Sequence, residues 1–394
     1  MPATHADTET RDAIPLRSIM NGANRKGGVV VVSSCKDWGN PQCHESVTQG
    51  ALASKLAAIK GYEFAGEFDA AKAYSGPVYF VPGDTLVGAD AARRLGVRGE
   101  QDLFGGLVPF AFVATKVLTH PLPEPHSAAP PGWSSAFAGM VGDVVLPGYS
   151  VFSIEDADGA ARKLLRDGPL RIKEPGGIGG LGQSVVTDAA QLAAILDGFD
   201  PRRLAHEGLV IEKNLADVVT YSVGQVRVGE LLATYYGIQH LTRNRRGKEV
   251  YGGSDLVLVR GDFDALLDRE IDGDLRTAIA QARRYHAAAL ACYPGMFASR
   301  CNYDIAQGRD EHGDWHSGVL EQSWRIGGAS GAELAALEAF QADPGLKVVA
   351  ASTTELHEQN PPVPADAWVY FQGIDQRAGP LTKYARCEAH VDTR

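Results

Sequence analysis

Two acidic side chains in the last quarter of the chain have the arrangement of a paired-carboxylate site. Asp304 lies in a short apolar run, and Glu321 lies in a second apolar run after a polar turn, as in a hairpin. Residues an even number of positions apart share one face of a strand, so Arg325 shares a face with Glu321. Paired carboxylates suit Mg²⁺ that bridges phosphates, and Arg325 could stabilise charge on a transferred phosphoryl group. Such pairs are otherwise usually surface charges.

A glycine-rich loop follows a lysine in the first half of the chain. Lys173 ends a short apolar run, and a second apolar run begins at Gln183. Glycines at this density let successive backbone N–H groups turn toward an anion, and Lys173 adds a positive charge beside them. The combination indicates a polyphosphate held under a flexible flap. The loop glycines are Gly176, Gly177, Gly179, Gly180 and Gly182.

Three interpretations of this loop compete. Residues 177–182 match the G-x-G-x-x-G dinucleotide fingerprint, but that fingerprint needs a helix that opens inside the loop. Here residues 183–186 are typical of a strand, and the next helix begins only after the capping pair Thr187 and Asp188, so a Rossmann turn is disfavoured. A Walker A loop is excluded because no Gly-Lys-Ser/Thr closes it. Taken alone, the loop is about as well explained by a glycine-rich surface hairpin.

Length and composition describe an ordinary soluble globular protein. The 394 residues exceed the usual ceiling for one core, so two or three subdomains are expected. A net charge of −10 without a long basic run argues against nucleic-acid binding. The five cysteines include no C-x-x-C pair, which favours a reducing compartment. Without a signal-peptide pattern or an apolar run long enough to span a membrane, the expected location is the cytoplasm.

Strands alternate with helices before a proline-rich stretch. The patterns predict strands at 28–34 and 78–81 and helices at 46–60 and 89–95, which indicates a small α/β domain. Five prolines between residues 120 and 133 indicate a stiff connector and the first domain boundary. His120 and His126 lie in that connector, and we expect both to be solvated loop histidines.

Two further motifs could contact a ligand. An apolar strand at 209–211 ends in Glu212 and Lys213, and such a strand end can offer backbone groups and a carboxylate to a flat ring such as adenine, although it is more often a strand leaving the core. A basic cluster then lies at 243–255, in an acidic protein. It suggests a clamp for an anionic substrate, and a solvated hairpin tip is an equal alternative. We take as candidate contacts to a substrate carboxylate Arg243, Arg245, Arg246, Tyr251 and Arg300.

The order of these features resembles the ATP-grasp superfamily and, within it, a bacterial family of unknown function. No single motif is specific, but the ordered set is. The resemblance implies an α/β to α+β fold, in which an N-terminal pre-ATP-grasp α/β domain precedes a two-lobed ATP-grasp fold. The implied divisions are a flexible N-terminal segment at 1–27, the α/β domain at 28–119, the connector at 120–143, lobe A with the glycine loop at 144–215 and lobe B with the metal site at 216–394.

The resemblance also implies roles for individual residues. Lys116 and Lys173 would contact the phosphates of ATP, and Arg325 and Arg300 would face the reacting groups. The flap would close through Gly177, Gly179, Gly180, Gln183 and Ser184. Glu212, Lys213 and Leu215 would line the adenine pocket, and Asp217 could grip the ribose in place of the usual carboxylate. Asp304, Glu321 and Ser323 would hold Mg²⁺ or Mn²⁺, with Ser323 replacing the usual asparagine and binding metal more weakly.

The reaction implied by the resemblance is an ADP-forming ligation. A small-molecule carboxylate attacks the γ-phosphate of ATP, and an amine then displaces phosphate from the acyl phosphate to give an amide. An ATP-grasp kinase that stops at phosphoryl transfer stays open as an alternative, as does a non-catalytic nucleotide-binding regulatory protein, which Ser323 motivates. A biotin-dependent carboxylase is less favoured because no Met flanked by Lys occurs as a biotin acceptor. Dimers are common, so a homodimer is a reasonable state.

Overall fold

A three-stranded parallel sheet opens the fold. The structure is a computed structural model that describes residues 27–34, 42–177 and 182–388. The predicted segment at 1–27 therefore lies outside the described residues except for Gly27. The sheet has the strand order β2-β1-β3, and the β-branched β1 lies at its centre. The elements of this part are β1 (Val29–Ser33), α1 (His44–Lys60), β2 (Glu63–Glu67), β3 (Val78–Pro82), β4 (Leu86–Val87), α2 (Ala89–Leu95) and β5 (Gly106–Val108).

A four-stranded antiparallel sheet follows, with the order β6-β9-β7-β8. Apolar residues of its strands pack against the helices α4 and α5 to form a separate small core. Asp188 caps the helix after the glycine loop by accepting from the N–H groups of Ala190 and Gln191, as predicted. The elements here are α3 (Ser135–Val141), β6 (Gly148–Val151), α4 (Ile154–Leu164), β7 (Leu170–Lys173), β8 (Gln183–Val186), α5 (Ala189–Leu196), α6 (Pro201–Glu207) and β9 (Leu209–Lys213).

The largest sheet has eight strands in the order β15-β14-β10-β11-β12-β16-β18-β17. All neighbouring strands in it are antiparallel, and β10 pairs with β11 from Tyr221 opposite Ile238 to Val228 opposite Leu231. A small separate sheet joins β13 to β5 and β4. The elements are β10 (Ala216–Val228), β11 (Leu231–Arg243), β12 (Glu249–Arg260), α7 (Phe263–Leu267), α8 (Gly273–Cys292), β13 (Phe297–Ala298), β14 (Arg300–Arg309), β15 (Trp315–Ser323), α9 (Ser330–Ala342), β16 (Val348–Leu356), β17 (Trp368–Asp375) and β18 (Gly379–Glu388).

Helices cover both faces of the large sheet. On one face α8 packs on β10, β14 and β15 around the buried Tyr285 and Tyr303. On the other face α9 packs on β11, β12, β16 and β18, and α1 of the first sheet packs on α9 and β17. The middle of β14 and β15 on this second face carries the predicted carboxylates, next to the first sheet.

The proline-rich stretch is more structured than the sequence predicts. Its end forms α3, whose Phe137 and Val141 are buried in the core against α8. The residue at its start, His120, is also fully buried, so the expectation of a solvated loop histidine is wrong there, whereas His126 is exposed. Among the described residues, we find no helix that combines enough length and enough apolar character to cross a membrane.

Candidate functional site

The two predicted carboxylates lie directly opposite each other. Asp304 on β14 is the cross-strand partner of Glu321 on β15. Burial and the neighbouring charge of Glu321 raise the pKa of Asp304 to about 6. The ammonium of Lys116 lies 2.6 Å from Glu321 Oε2, and its side chain is almost fully buried. The pair therefore already attracts one cation, and a divalent metal ion requires the same negatively charged oxygens.

Two amide side chains fix the orientation of Asp304. Nε2 of Gln239 and Nδ2 of Asn302 donate to the same oxygen, Oδ1, at 2.8 and 3.0 Å. Asn302 is held in turn, because its Oδ1 accepts from Ser222 Oγ at 2.6 Å and from the Tyr235 hydroxyl at 2.9 Å. Neither amide donates to Oδ2 of Asp304, so that oxygen is the one suited to bind a ligand. The sequence analysis missed both amides, although Asn302 lies two residues before Asp304 and therefore on the same face.

Arg300 belongs to the core rather than to the surface of the site. Its side chain is 1% exposed, and it donates to both carboxylate oxygens of the fully buried Glu333 at 2.8 to 3.1 Å. Its Nη1 also donates to Ser323 Oγ at 3.3 Å and to the backbone oxygen of Arg325 at 2.6 Å. The guanidinium is thus neutralised and enclosed, which argues against the predicted role of Arg300 in catalysis and carboxylate binding.

A second buried charged group lies at the end of the glycine-loop hairpin. Glu212 on β9 forms an ion pair through Oε1 with the ammonium of Lys173 on β7, and its Oε2 lies 3.1 Å from Nε2 of His120. All three side chains are at most 4% exposed. Burial opposes ionisation of Glu212, but the charge of Lys173 and the hydrogen bond from His120 outweigh it and lower the pKa of Glu212 to about 2.

The glycine loop is connected directly to the carboxylate pair. β7 and β8 form an antiparallel hairpin with Lys173 opposite Gln183, so the loop joins two strands and a dinucleotide fingerprint is ruled out. Lys116 donates to the backbone oxygen of Gly177 at 2.8 Å, and the same ammonium pairs with Glu321. One buried lysine therefore links the flap of the four-stranded sheet to the large sheet. Gly179 and Gly180 lie outside the described residues.

Comparison with known proteins identifies the family of this chain. A family model described as "Protein of unknown function (DUF3182)" matches residues 32–385. The chain belongs to the DUF3182 family. No curated protein matches its sequence.

Solved structures show what fold the DUF3182 chain has. It is similar to biotin carboxylase from Campylobacter jejuni in a β-γ-ATP complex, with 11% identity, a TM-score of 0.51 and coverage of 93% of this chain and 89% of that one. It is also similar to N5-carboxyaminoimidazole synthetase from Staphylococcus aureus complexed with ADP, with 12% identity, a TM-score of 0.50 and coverage of 93% and 94%. The mixed helix and strand fold is thus that of ATP-grasp proteins.

The side chain of Lys213 of the DUF3182 chain forms ion pairs with two aspartates. Successive strand residues point to opposite faces, so Lys213 points away from the side chain of Glu212. Its ammonium lies 2.8 Å from both Asp167 and Asp310, and His316 lies 2.9 Å from the same oxygen of Asp310. The hydrogen bonds from Lys213 and His316 hold the pKa of Asp310 well below its usual range.

The remaining predicted nucleotide contacts are spread along the strand ends. Leu215 is buried just after β9, whereas Asp217 is exposed at the start of β10, where its φ is +51°. Gln183 accepts from Arg171 at 3.2 Å, and Ser184 next to it is exposed. Arg325 lies 3.8 Å from Asp84, at the carboxyl end of the first sheet. None of these placements tests the assigned roles.

The basic cluster lies far from the carboxylates. Arg243, Arg245 and Arg246 lie at the tip of the β11–β12 hairpin, where Arg243 pairs with Glu249 at 3.3 Å. Arg243 is four residues beyond Gln239 on β11, a distance of about 13 Å along an extended strand. Tyr251 is closer to the core, because its hydroxyl is bonded to Ser254 at 2.7 Å and Thr353 at 3.0 Å. The structure therefore does not bring the arginines to the carboxylate pair.

Proposed function

We propose that this protein is an ADP-forming ATP-grasp ligase that activates a small-molecule carboxylate as an acyl phosphate and condenses it with an amine. The observation that carries the proposal is the position of Lys116, which bridges the flap oxygen of Gly177 and the carboxylate of Glu321. A bound polyphosphate between flap and carboxylates would meet a cation on one side and metal-binding oxygens on the other. That combination suits transfer of a γ-phosphoryl group.

The residues present fit a divalent metal ion. Asp304 and Glu321 offer carboxylate oxygens from adjacent strands, and the ammonium of Lys116 shows that a cation is accepted at this position. When bound, Mg²⁺ would neutralise charge on the transferred phosphoryl group. Ser323 is a weaker candidate ligand, because its hydroxyl already accepts from Arg300.

The other residues bind and orient the nucleotide in this proposal. Residues 144–215 and 216–394 act as the two lobes of the clamp, and residues 28–119 supply a third wall. Lys116 and Lys173 contact the phosphates, and the strand end from Glu212 to Leu215 holds the adenine ring through its backbone. The flap excludes water that would hydrolyse the acyl phosphate. Arg325, partly exposed beside Asp84, faces the reacting groups.

One observation favours a second candidate, a nucleotide-binding protein without turnover. The usual third metal ligand is replaced by Ser323, and its hydroxyl is engaged by a buried guanidinium. A protein of this kind binds nucleotide and releases no ADP with any substrate. An ATP-grasp kinase would instead yield a phosphorylated product and ADP without an amide.

The test measures Mg²⁺-dependent ATP binding and ADP release with a pooled panel of amino acids and small carboxylates. We expect wild type to bind ATP and release ADP, and we expect Lys173→Ala and Glu321→Gln to lose binding or turnover. Glu311→Gln is the matched control for Glu321, since Glu311 is an exposed carboxylate in the turn of the same hairpin. Failure of wild type to bind ATP, or equal behaviour of all variants, would refute the proposal.

A further inference from the structure

His120 is a buried titratable group that the proposed function does not use. It lies over Glu212, and Gly148 on the neighbouring strand makes room for it, because a Cβ atom there would lie 2.9 Å from the imidazole Cε1. Nε2 of His120 faces the carboxylate at 3.1 Å. Nδ1 is also buried, and it has no hydrogen-bond partner within the described part of the chain.

The hydrogen-bonding groups fix the tautomer. An ionised carboxylate can only accept, so Nε2 must carry the proton that is donated to Glu212. If His120 is neutral, Nδ1 is then a bare acceptor that can take up one more proton. A second proton would turn His120 into a cation that stays in contact with Glu212.

Nucleotide binding changes the charge balance of this group. Without nucleotide, the charge of Lys173 is balanced by Glu212. If Lys173 turns to the phosphates, Glu212 is left as a buried carboxylate without its cation, which is strongly unfavourable. Protonation of His120 restores a cation next to Glu212 and leaves Lys173 free for the phosphates.

We propose that His120 is a positioning residue that acts through Glu212 and takes up a proton when Lys173 exchanges Glu212 for nucleotide phosphate. The inference rests on the proposed function, since it assumes that Lys173 contacts a phosphate. The proton comes from solvent and is bound at Nδ1, while Lys173 stays an ammonium and Glu212 stays a carboxylate. Affinity for nucleotide then falls as pH rises, by up to about tenfold per pH unit when a full proton is taken up.

Among the described residues, few other charged groups can contribute to this proton uptake. The charges that act on Glu212 are those of Lys173 on β7 and His120 itself. From the other elements that line the cleft, Lys116 and Glu321 face each other as an ion pair, and Glu174 after β7 pairs with Arg203 of α6. β6 contributes Gly148 and the uncharged Ser150, which donates to the backbone of Val117.

The experiment counts protons by calorimetry. ADP with Mg²⁺ is titrated into the full chain at about pH 7.5 in buffers of different ionisation enthalpy. We expect wild type to take up about one proton per nucleotide. His120→Gln, which keeps a donor for Glu212 but cannot be protonated, should reduce the uptake to near zero and flatten the pH dependence of Kd. His126→Gln, the same change at an exposed position of the same connector, should behave like wild type.

A second variant covers the case in which His120→Gln does not fold. Glu212→Gln removes the charge that must be compensated, so it should abolish proton uptake while His120 is intact. In parallel, ¹⁵N-histidine NMR should show one imidazole that changes from a neutral tautomer to imidazolium when ADP binds. Nucleotide binding without proton uptake, or unchanged uptake in both variants, would overturn the inference alone. A wild type that binds no nucleotide would overturn the proposed function and this inference with it.

Discussion

At the scale of single residues, Asp304 carries the clearest conflict between folding and function. Its Oδ1 is held by two amides, and it faces Glu321 across the strand pair. A metal site needs both carboxylates ionised, whereas burial and the charge of Glu321 oppose ionisation of Asp304 and raise its pKa to about 6. Keeping two carboxylates this close costs folding free energy, and a cation that binds between them would recover it.

The raised pKa of Asp304 predicts a pH dependence of stability. The folded chain binds the proton more tightly than the unfolded chain, so the stabilising contribution is present at low pH and is lost as pH rises through about 6. Asp304→Asn should therefore increase the free energy of unfolding of the metal-free protein at pH 8, by about 1 to 3 kcal/mol, and not at pH 4. Urea unfolding at both pH values measures this. Asp314→Asn, an exposed position in the turn of the same hairpin, should show no such difference.

Lys116 should compete with a metal ion for Glu321. Its ammonium lies 2.6 Å from the carboxylate, so replacing it with an uncharged side chain removes an internal cation from the site. We expect Lys116→Met to bind Mn²⁺ several-fold more tightly than wild type in the absence of nucleotide. This corresponds to a gain of about 1 kcal/mol in the free energy of Mn²⁺ binding. Electron paramagnetic resonance of free Mn²⁺ measures this affinity. Lys163→Met removes an exposed lysine that pairs with Glu124 and should leave the affinity unchanged. Weaker Mn²⁺ binding in Lys116→Met would show that the lysine supports the site rather than competing for it.

At the scale of elements, one buried ion pair attaches β14 to α9. Arg300 on the strand and Glu333 on the helix are at most 1% exposed and are joined by several hydrogen bonds. The Tyr235 hydroxyl also donates to Glu333 at 2.6 Å, and it reaches Asn302 beside Asp304. The strand that carries Asp304 is therefore held by a polar network that continues into the helix behind it.

Breaking this pair should be costly. Glu333→Gln leaves the guanidinium of Arg300 buried without its counter-ion, so we expect a loss of about 3 to 5 kcal/mol in the free energy of unfolding. Glu338→Gln on the same helix removes an exposed partner of Lys55 and should cost less than about 1 kcal/mol. Urea unfolding of both variants makes the comparison. Similar losses in the two variants would contradict the assignment of the buried pair.

At the scale of the whole molecule, side-chain contacts link the large sheet to the flap and to the first sheet. Lys116 joins the flap to the large sheet, and Arg325 lies beside Asp84 of the first sheet. In the proposed function, a nucleotide between these parts would contact several sheets at once, and its binding energy would add to the stability of the whole assembly.

Mg²⁺ with ADP should therefore raise the thermal unfolding midpoint of the whole chain. At a free nucleotide concentration of 100 times Kd, the expected gain is about 2.7 kcal/mol. Differential scanning calorimetry should show the shift in wild type and in the control Glu311→Gln. Under the same conditions Glu321→Gln should show a much smaller shift, and an equal shift in that variant would place the metal and nucleotide elsewhere.

The sequence by itself determined the elements and the order of the motifs. Strand periodicity placed Asp304 and Glu321 on a hairpin, and the register confirms that they are cross-strand partners. The strand pattern after the glycine loop and the cap at Asp188 disfavoured a dinucleotide fingerprint, and the β7–β8 hairpin and the observed cap agree with that interpretation. Local backbone preferences and the two-residue period of strands are properties of short segments, so a single sequence contains them.

Only the tertiary structure decided which charged groups are buried and with which partners. The sequence predicts a substrate contact for Arg300 and a loop position for His120. In the structure Arg300 is buried beside Glu333, and His120 is buried beside Glu212, both distant in the chain. The ammonium of Lys213 is likewise paired with Asp310, which lies 97 residues away in the chain. Burial and ion pairing depend on contacts between distant segments. Packing creates those contacts, and the local pattern of apolar and polar residues does not indicate them.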